Sequence, residues 1–437
     1  MHNIYKVSLR KCATYDEAEV LKAVKAATDD LGGIAAFIKP GERVLLKANL
    51  LMEKRPEDAT LTHPSVLQAL IQILMENGNT VIIGDSPGGP FTAALLGRIY
   101  RTGGYYELAE RTGATLNANF GSFERENPGG LLLKKLTLTD MLNDVDKVVS
   151  VSKLKTHGMM TFTGAVKNLF GTVPGIIKAE YHMNMPEYDD FANALIDICL
   201  ASKPVLSVMD GVVGMEGHGP SAGDPRNLGV ILASGSPFAL DRIACEIISL
   251  PQDMVPTLRN AAKRGLCPEN LAEIETAGNS IADFKVADFA IPKPSRINPS
   301  QSLPPFVRKL MSVALQPRPV FMLDKCVKCN ICAKSCPVGV LKFGPHRGFC
   351  QRCFNCVSKD VQSEDSDAPP NKKCPALKQH TPSINLEKCI RCYCCQELCP
   401  QKAIVIKRPL LMRLFVGNSF SRLTQAIIKK IQYRKRS

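Results

Sequence analysis

Cysteine spacing near the C-terminal end constrains this chain more than any other feature. From Cys326 to Pro337 the sequence reads CVKCNICAKSCP, and from Cys389 to Pro400 it reads CIRCYCCQELCP. Both runs have the form C-x2-C-x2-C-x3-C-P, the spacing that holds 4Fe-4S clusters. Thiolates three residues apart sit on successive tight turns and grip three irons of one cube, while the fourth points away to the other cube. The spacing therefore predicts one cluster on Cys326, Cys329, Cys332 and Cys399, and a second on Cys389, Cys392, Cys395 and Cys336. Zinc motifs usually supply cysteines in twos rather than threes. A disulfide framework would require a secretory context, and no signal peptide opens the chain. Cys394 breaks the second run and reads as a bystander thiol.

The two halves of such a module normally meet through a short hairpin, yet here Cys336 and Cys389 are far apart. Removing residues 346–380 would join PVGVLKFGP to TPSINLEKC at an ordinary connection length. That insertion carries Cys350, Cys353 and Cys356 in C-x2-C-x2-C spacing, and then Cys374 followed by Pro375. The intervening SKDVQSEDSDAPPNKK is polar, charged and proline-containing, which predicts a loop. These four cysteines fit a third 4Fe-4S cluster, a structural zinc ion, or no metal at all.

Thirteen of the seventeen cysteines follow residue 320, so they belong to a metal module and not to the whole fold. At 437 residues the chain has length for two or three domains and one large core. No apolar run approaches the length of a membrane span. Oxygen-sensitive clusters point to a reducing cytoplasm. The formal charge of +14 suggests nucleic acid until it is located: residues 401–437 hold ten Lys or Arg and no Asp or Glu. The body is only mildly basic, so nucleic-acid binding is not expected.

Residues 1–290 alternate short β-rich runs with helical patterns. Strands are expected at Ile4–Leu9, Arg43–Leu50, Thr80–Asp85, Lys147–His157, Pro204–Asp210 and Leu228–Ser234, with helices between them, one over Thr62–Gly78 capped by Thr62. Apolar strands separated by helices predict a mostly parallel sheet covered on both faces, an α/β domain followed by a small α+β iron–sulfur domain at 321–408. In such sheets the ligand crevice lies outside the carboxyl ends of the strands. Lys47, Asn49, Asp85, Ser86, Lys153, Lys155, Thr156, His157 and Asp210 stand there. The stretch Ser152–Gly175 adds Lys167 and Asn168. Read as a site, it is a pocket for a carboxylate or phosphate: Lys47, Asn49, Asp85, Lys153, Lys167 and Asn168 bind, and Lys155 or His157 gives the proton. Read otherwise, the lysines are solvated on a strand edge and His157 closes a turn.

Of the two glycine-rich loops, Gly84–Pro90 follows a strand and precedes a helical run, a context suited to an anion. Gly211–Pro225 is long and small, and reads as a lid. Neither fits a nucleotide-binding motif. His63, His182 and His218 read as structural or exposed, and Cys12, Cys199, Cys245 and Cys267 as packing residues. Residues 291–320 are a linker by composition, with a short amphipathic helix at Phe306–Gln316. The tail 409–437 mixes apolar residues with regularly spaced Arg and Lys. It suits an in-plane membrane helix at the inner face of the membrane, docking on an acidic partner, or packing on its own domain.

With KANLL, THPSV, GDSPGG, SKLKTHGMMTFTGAVKNLFG, MDGVVGMEGHGP and SGSPFALDRIACE in view, followed by CIRCYCC, the chain resembles the "domain of unknown function 362" family of prokaryotic iron–sulfur proteins. The resemblance spans nearly all of residues 1–408 and implies cluster binding by a ferredoxin-type module, without naming a substrate. The inserted Cys350–Cys374 set departs from simpler two-cluster members. The expectation is a redox protein taking electrons from a partner protein: a reductase acting on an anionic, unsaturated or carbonyl-bearing substrate. The competing expectation is an electron-transfer or assembly protein without chemistry of its own, tethered by its basic tail to a membrane or partner complex.

Overall fold

The computed structural model describes residues 5–89, 91–175, 177–178, 181, 185, 187–292, 318–336, 338–343, 382–386, 388–389 and 394–407. The insertion 346–380 with Cys350, Cys353, Cys356 and Cys374, the tail 409–437, the Phe306–Gln316 stretch, His182 and Cys392 lie outside the described residues. The chain divides into two units, Met1–Ser295 and Arg296–Ser437.

The first unit is built on β1 (Tyr5–Lys11), β2 (Arg43–Lys47), β3 (Thr80–Gly84), β4 (Thr115–Leu116), β5 (Ser122–Glu126), β6 (Lys135–Thr139), β7 (Lys147–His157), β8 (Thr161–Thr163), β9 (Pro204–Glu216), β10 (Asp224–Ser234) and β11 (Ile274–Gly278). Nine of these form one sheet in the order β11-β1-β10-β9-β7-β2-β3-β4, with β8 beside β7, while β5 and β6 form a separate ribbon. Pairing from β9 through β7, β2, β3 and β4 is parallel. Only β10 and β8 run against the rest.

Side-chain alternation along each strand divides the core between two faces. Val44 and Leu46 of β2 and Val149 and Val151 of β7 pack with helices α1 (Glu17–Asp29), α2 (Pro64–Glu76), α3 (Ala93–Thr102) and α4 (Tyr105–Thr112). On the other face Leu45, Val148 and Leu154 meet α5 (Ala165–Asn168), α6 (Tyr188–Ser202), α7 (Pro237–Ile247) and α8 (Pro256–Lys263). Strands covered on both sides explain the unbroken apolar run Val44–Leu46 of β2 and the burial of β7 along its length.

Three local expectations are corrected. The cap of α2 is His63 and not Thr62: its Nδ1 accepts from the Ser65 amide at 3.2 Å. The Thr62 hydroxyl is already engaged, donating to the Val151 carbonyl at 2.8 Å. Residues 211–225 are not a lid. They are mostly a hairpin, with β9 running on to Glu216 and β10 starting at Asp224. The glycines there admit close strand contact, since a Cβ on Gly211 would come 2.9 Å from the Val230 carbonyl and one on Gly214 2.9 Å from Leu228. Finally, β7 is no edge strand; it lies between β9 and β2.

In the second unit, β12 (Arg318–Phe321), helix α9 (Ile331–Lys334) and β13 (Leu341–Phe343) are followed by β14 (Pro382–Ile384), helix α10 (Cys394–Glu397) and β15 (Ile404–Lys407). The outer strands β12 and β15 pair with each other, and so do the inner ones, β13 and β14, both antiparallel. Each cysteine run thus lies between two strands of a strand–helix–strand repeat, and the pairing brings the end of one repeat beside the start of the other.

Candidate functional site

That crosswise pairing makes a thiol-lined cavity. Cys326, Cys329 and Cys332 line it from the first repeat and Cys399 from the second, with Phe321, Phe343, Ala403 and Ile404 as apolar walls. This is the set that the spacing assigns to one cube. Burial pushes the Cys332 thiol up to about 11, and the neighbouring Cys399, Cys329 and Cys326 push the same way. Thiolates crowded in this manner repel one another until cations sit among them. The Ala403 amide donates to Cys399 Sγ at 3.2 Å, a contact of the kind that sets cluster potential. Among the described residues no three His, Cys, Asp or Glu side chains are spaced for a single metal ion; the four thiols surround a space instead. The donor set fits a 4Fe-4S cluster, which when bound passes single electrons at low potential. Of the second set, Cys336 and Cys395 pack into the same small core as Cys332, Leu341 and Ile404, and Cys389 is half-buried.

The second constellation lies at the carboxyl ends of β2, β3 and β7 and beside the middle of β9, which runs on past Asp210, its expected end, to Glu216. Lys47 ends β2, fully buried, with Nζ 2.8 Å from Asp85 Oδ1 just beyond β3. It also donates to the Ala48 carbonyl at 2.7 Å and to Asn168 Oδ1 at 3.3 Å. The Asp85 carboxylate takes the Leu50 amide at 2.7 Å. Asn168 is fixed by donating to the Lys47 carbonyl at 2.8 Å and to Ser150 Oγ at 3.1 Å. Asn49 Nδ2 donates to Asn168 Oδ1 at 3.2 Å, and its Oδ1 accepts from Lys155 Nζ at 2.7 Å. Lys155 also donates to the Thr60 carbonyl at 2.7 Å. Lys47, Asn49, Asp85, Lys155 and Asn168 are thus one continuous network.

Lys153 belongs to a neighbouring knot. It faces Asp210 in the β7–β9 register, and the two side chains, both buried, meet at 2.8 Å. Its Nζ also donates to the Tyr15 hydroxyl at 2.6 Å, and that hydroxyl donates to Asp210 Oδ1 at 2.8 Å. Tyr15 stacks on His63 with ring centroids 3.6 Å apart. Burial pushes the Lys47 and Lys153 ammonium groups down from the usual lysine range, while Asp85 and Asp210 oppose that shift. The lysines are therefore inside the domain and ion-paired, not solvated on an edge. Buried pairs of this kind add little net stability, so their concentration at the strand ends points to a site.

His157 is buried at the end of β7, and its Nδ1 accepts from the amides of Met159 at 3.0 Å and Met160 at 3.1 Å. Those bonds place its ring proton on Nε2. The imidazole therefore closes the turn into β8 and still carries an N–H. Lys167 is half-buried, its Nζ 5.8 Å from the Phe170 ring centre.

Lys178 was missed by the motif reading. Its Nζ donates to the Ser86 carbonyl and stands 5.3 Å from the same Phe170 ring. Burial pushes this half-buried amine down to about 7; Lys47 and Lys167 push the same way, against Asp85. No spacing signal marks it, because only folding carries the segment after Gly175 back to β3. Among the described residues, Ser86 Oγ just beyond β3 and Thr163 Oγ1 at the end of β8 are buried without a partner.

A family model described as domain of unknown function (DUF362) matches residues 44–246, and one described as a 4Fe-4S binding domain matches residues 319–342 and 382–405. The two 4Fe-4S matches carry two clusters. The chain is 35% identical over 267 residues to the thylakoid-associated protein sll1697 of Synechocystis sp., an alignment covering 61% of this chain and 81% of that one. Among solved structures it aligns with the lactate racemase apoprotein from Thermoanaerobacterium thermosaccharolyticum at 13% identity and a TM-score of 0.36. That alignment covers 56% of this chain and 57% of the racemase; so distant a match says nothing of activity. No helix among the described residues is long and apolar enough to cross a membrane.

Proposed function

As this chain belongs to the DUF362 family and carries two 4Fe-4S motifs, we propose that it is a ferredoxin-fused reductase, delivering low-potential electrons to an anionic substrate at the strand ends of its α/β domain. The observation that supports this is the joining of Lys47, Asn49, Asp85, Lys155 and Asn168 in one buried network, beside hydroxyls of Ser86 and Thr163 that lack a partner. Two single-electron deliveries and two protons reduce an unsaturated or carbonyl-bearing carboxylate. Lys47, Lys153 and Lys167 hold its charge, and Asn49 and Asn168 orient it. The Lys155 ammonium gives one proton and solvent the other, while the His157 Nε2–H donates a hydrogen bond to the oxygen where negative charge develops.

The test is turnover of a panel of 2-enoates and 2-keto acids by anaerobically purified protein with its clusters intact. Lys155→Met and His157→Gln are expected to lower kcat by about 100-fold, the scale of a lost general acid or of a lost hydrogen bond to developing charge, with both cluster EPR signals unchanged. Equal turnover in wild type and both variants would end the reading. A second reading is favoured by the relative's name, thylakoid-associated protein: an electron-transfer protein held peripherally at a membrane, with the strand-end network purely structural. It predicts no turnover of any acceptor by the intact protein.

A further inference from the structure

Exposed large apolar side chains in the second unit gather around the first cysteine run. Leu323 is 55% exposed, Val327 62% and Ile331 38%, while other exposed side chains of this class among the described residues belong to the first unit. Val327 also lines the thiol cavity, and the adjoining ligand Cys329 is itself exposed. Along the same stretch, residues 318–343, the charge is mostly of one sign: Arg318, Lys325, Lys328, Lys334 and Lys342 against the single acid Asp324. Exposed apolar residues rimmed by charge mark interaction surfaces.

We propose that Leu323, Val327 and Ile331, rimmed by Lys325, Lys328 and Lys334, form the docking face for a one-electron carrier protein with an apolar centre and an acidic rim. Electrons then enter at the cluster of Cys326, Cys329, Cys332 and Cys399. The inference rests on the proposed flow of electrons through this module, and adds the port and the chemistry of the partner. Three apolar residues make a small contact, as expected of a transient redox encounter rather than a permanent interface. The lysine rim supplies encounter rate, and hence salt dependence, more than affinity. A protein is favoured over a lipid surface because the patch adjoins the exposed ligand, where an incoming redox group gains from close approach.

The experiment uses the full chain, anaerobically purified with its clusters. Stopped-flow absorbance follows cluster reduction, without substrate, by dithionite and by reduced flavodoxin, an acidic carrier; calorimetry measures flavodoxin binding. In Leu323→Asp and in the double variant Lys325→Glu/Lys334→Glu, flavodoxin is expected to reduce the clusters about ten-fold more slowly and to bind correspondingly less well. In the wild type that rate should fall steeply between about 0.05 and about 0.5 M salt. Iron content, EPR signals and the dithionite rate should stay unchanged. Equal flavodoxin rates in wild type and both variants overturn the proposal. So does loss of binding to phosphatidylglycerol vesicles with flavodoxin reduction intact, which assigns the patch to lipid. Because no substrate is present, a chain that accepts electrons from flavodoxin but reduces no acceptor keeps the docking face and loses only the reductase.

Discussion

Lys47 without its ammonium would leave the Asp85 carboxylate buried without its ion-pair partner, facing the Leu50 amide and the Lys178 amine, whose charged form burial disfavours. Lys47→Met is therefore expected to cost ~3–5 kcal/mol in urea denaturation, because an unpaired buried charge is costly. Adding Asp85→Asn should recover part of that loss, since a neutral amide still accepts from Leu50. Gly171 tests the same pair from outside: a Cβ there would collide with Asp85 Oδ1 and Lys47 Nζ. Gly171→Ala should lose about 1–3 kcal/mol by overpacking. At His63 the sign is set by burial, which holds the ring down to about 4, below the ordinary 6.5, with the Lys153 charge pushing the same way against Asp210. The unfolded chain therefore binds this proton at a higher pH than the native one. Stability from this group is complete above about 6.5 and falls as the pH drops toward 4. His63→Asn keeps a good cap for α2, so stability measured across that window should slope less steeply than in the wild type.

Among the elements, the crossed strand pairs β12–β15 and β13–β14 decide which cysteine serves which cavity. Cys399 follows the three ligands of its own run, yet it lines the cavity of Cys326, Cys329 and Cys332. Cys399→Ala is accordingly expected to perturb the cluster held by the first run, lowering its share of the iron and altering its EPR signal. A variant that disturbed only the cluster of the second run would contradict the pairing. The β9–β10 hairpin carries the complementary lesson. Its glycines and prolines have the composition of a loop, but Gly211 and Gly214 are there to let strands approach within contact distance. Composition cannot tell a turn glycine from a close-packing one, because the difference lies in what stands opposite. Likewise Thr62 and His63 both suit a helix start, and the choice was made by the Val151 carbonyl that claims the Thr62 hydroxyl.

Over the whole molecule, charge divides as +10 on residues 401–437 and +4 on the rest of the +14. If residues 409–437 hold the chain at an anionic membrane, their deletion should abolish flotation with phosphatidylglycerol vesicles and leave iron content unchanged; equal flotation would place the contact elsewhere. The α/β class and the two 4Fe-4S motifs were legible in the sequence, because alternation, apolar runs and C-x2-C-x2-C spacing are local and periodic. The lysines near the ends of β2 and β7 were legible as a set from the strand pattern, although β2 stops at Lys47 and β9 runs on to Glu216, past the ends that pattern marks. Their condition was not. Whether Lys47 and Lys153 meet solvent or a carboxylate depends on Asp85 and Asp210, which arrive from other strands, and Lys178 reaches Ser86 only through the folded path of the chain after Gly175. Ligand identity is thus written in spacing along one segment, whereas burial, pairing and proton affinity are properties of neighbours distant in sequence, and only the tertiary structure brings those neighbours together.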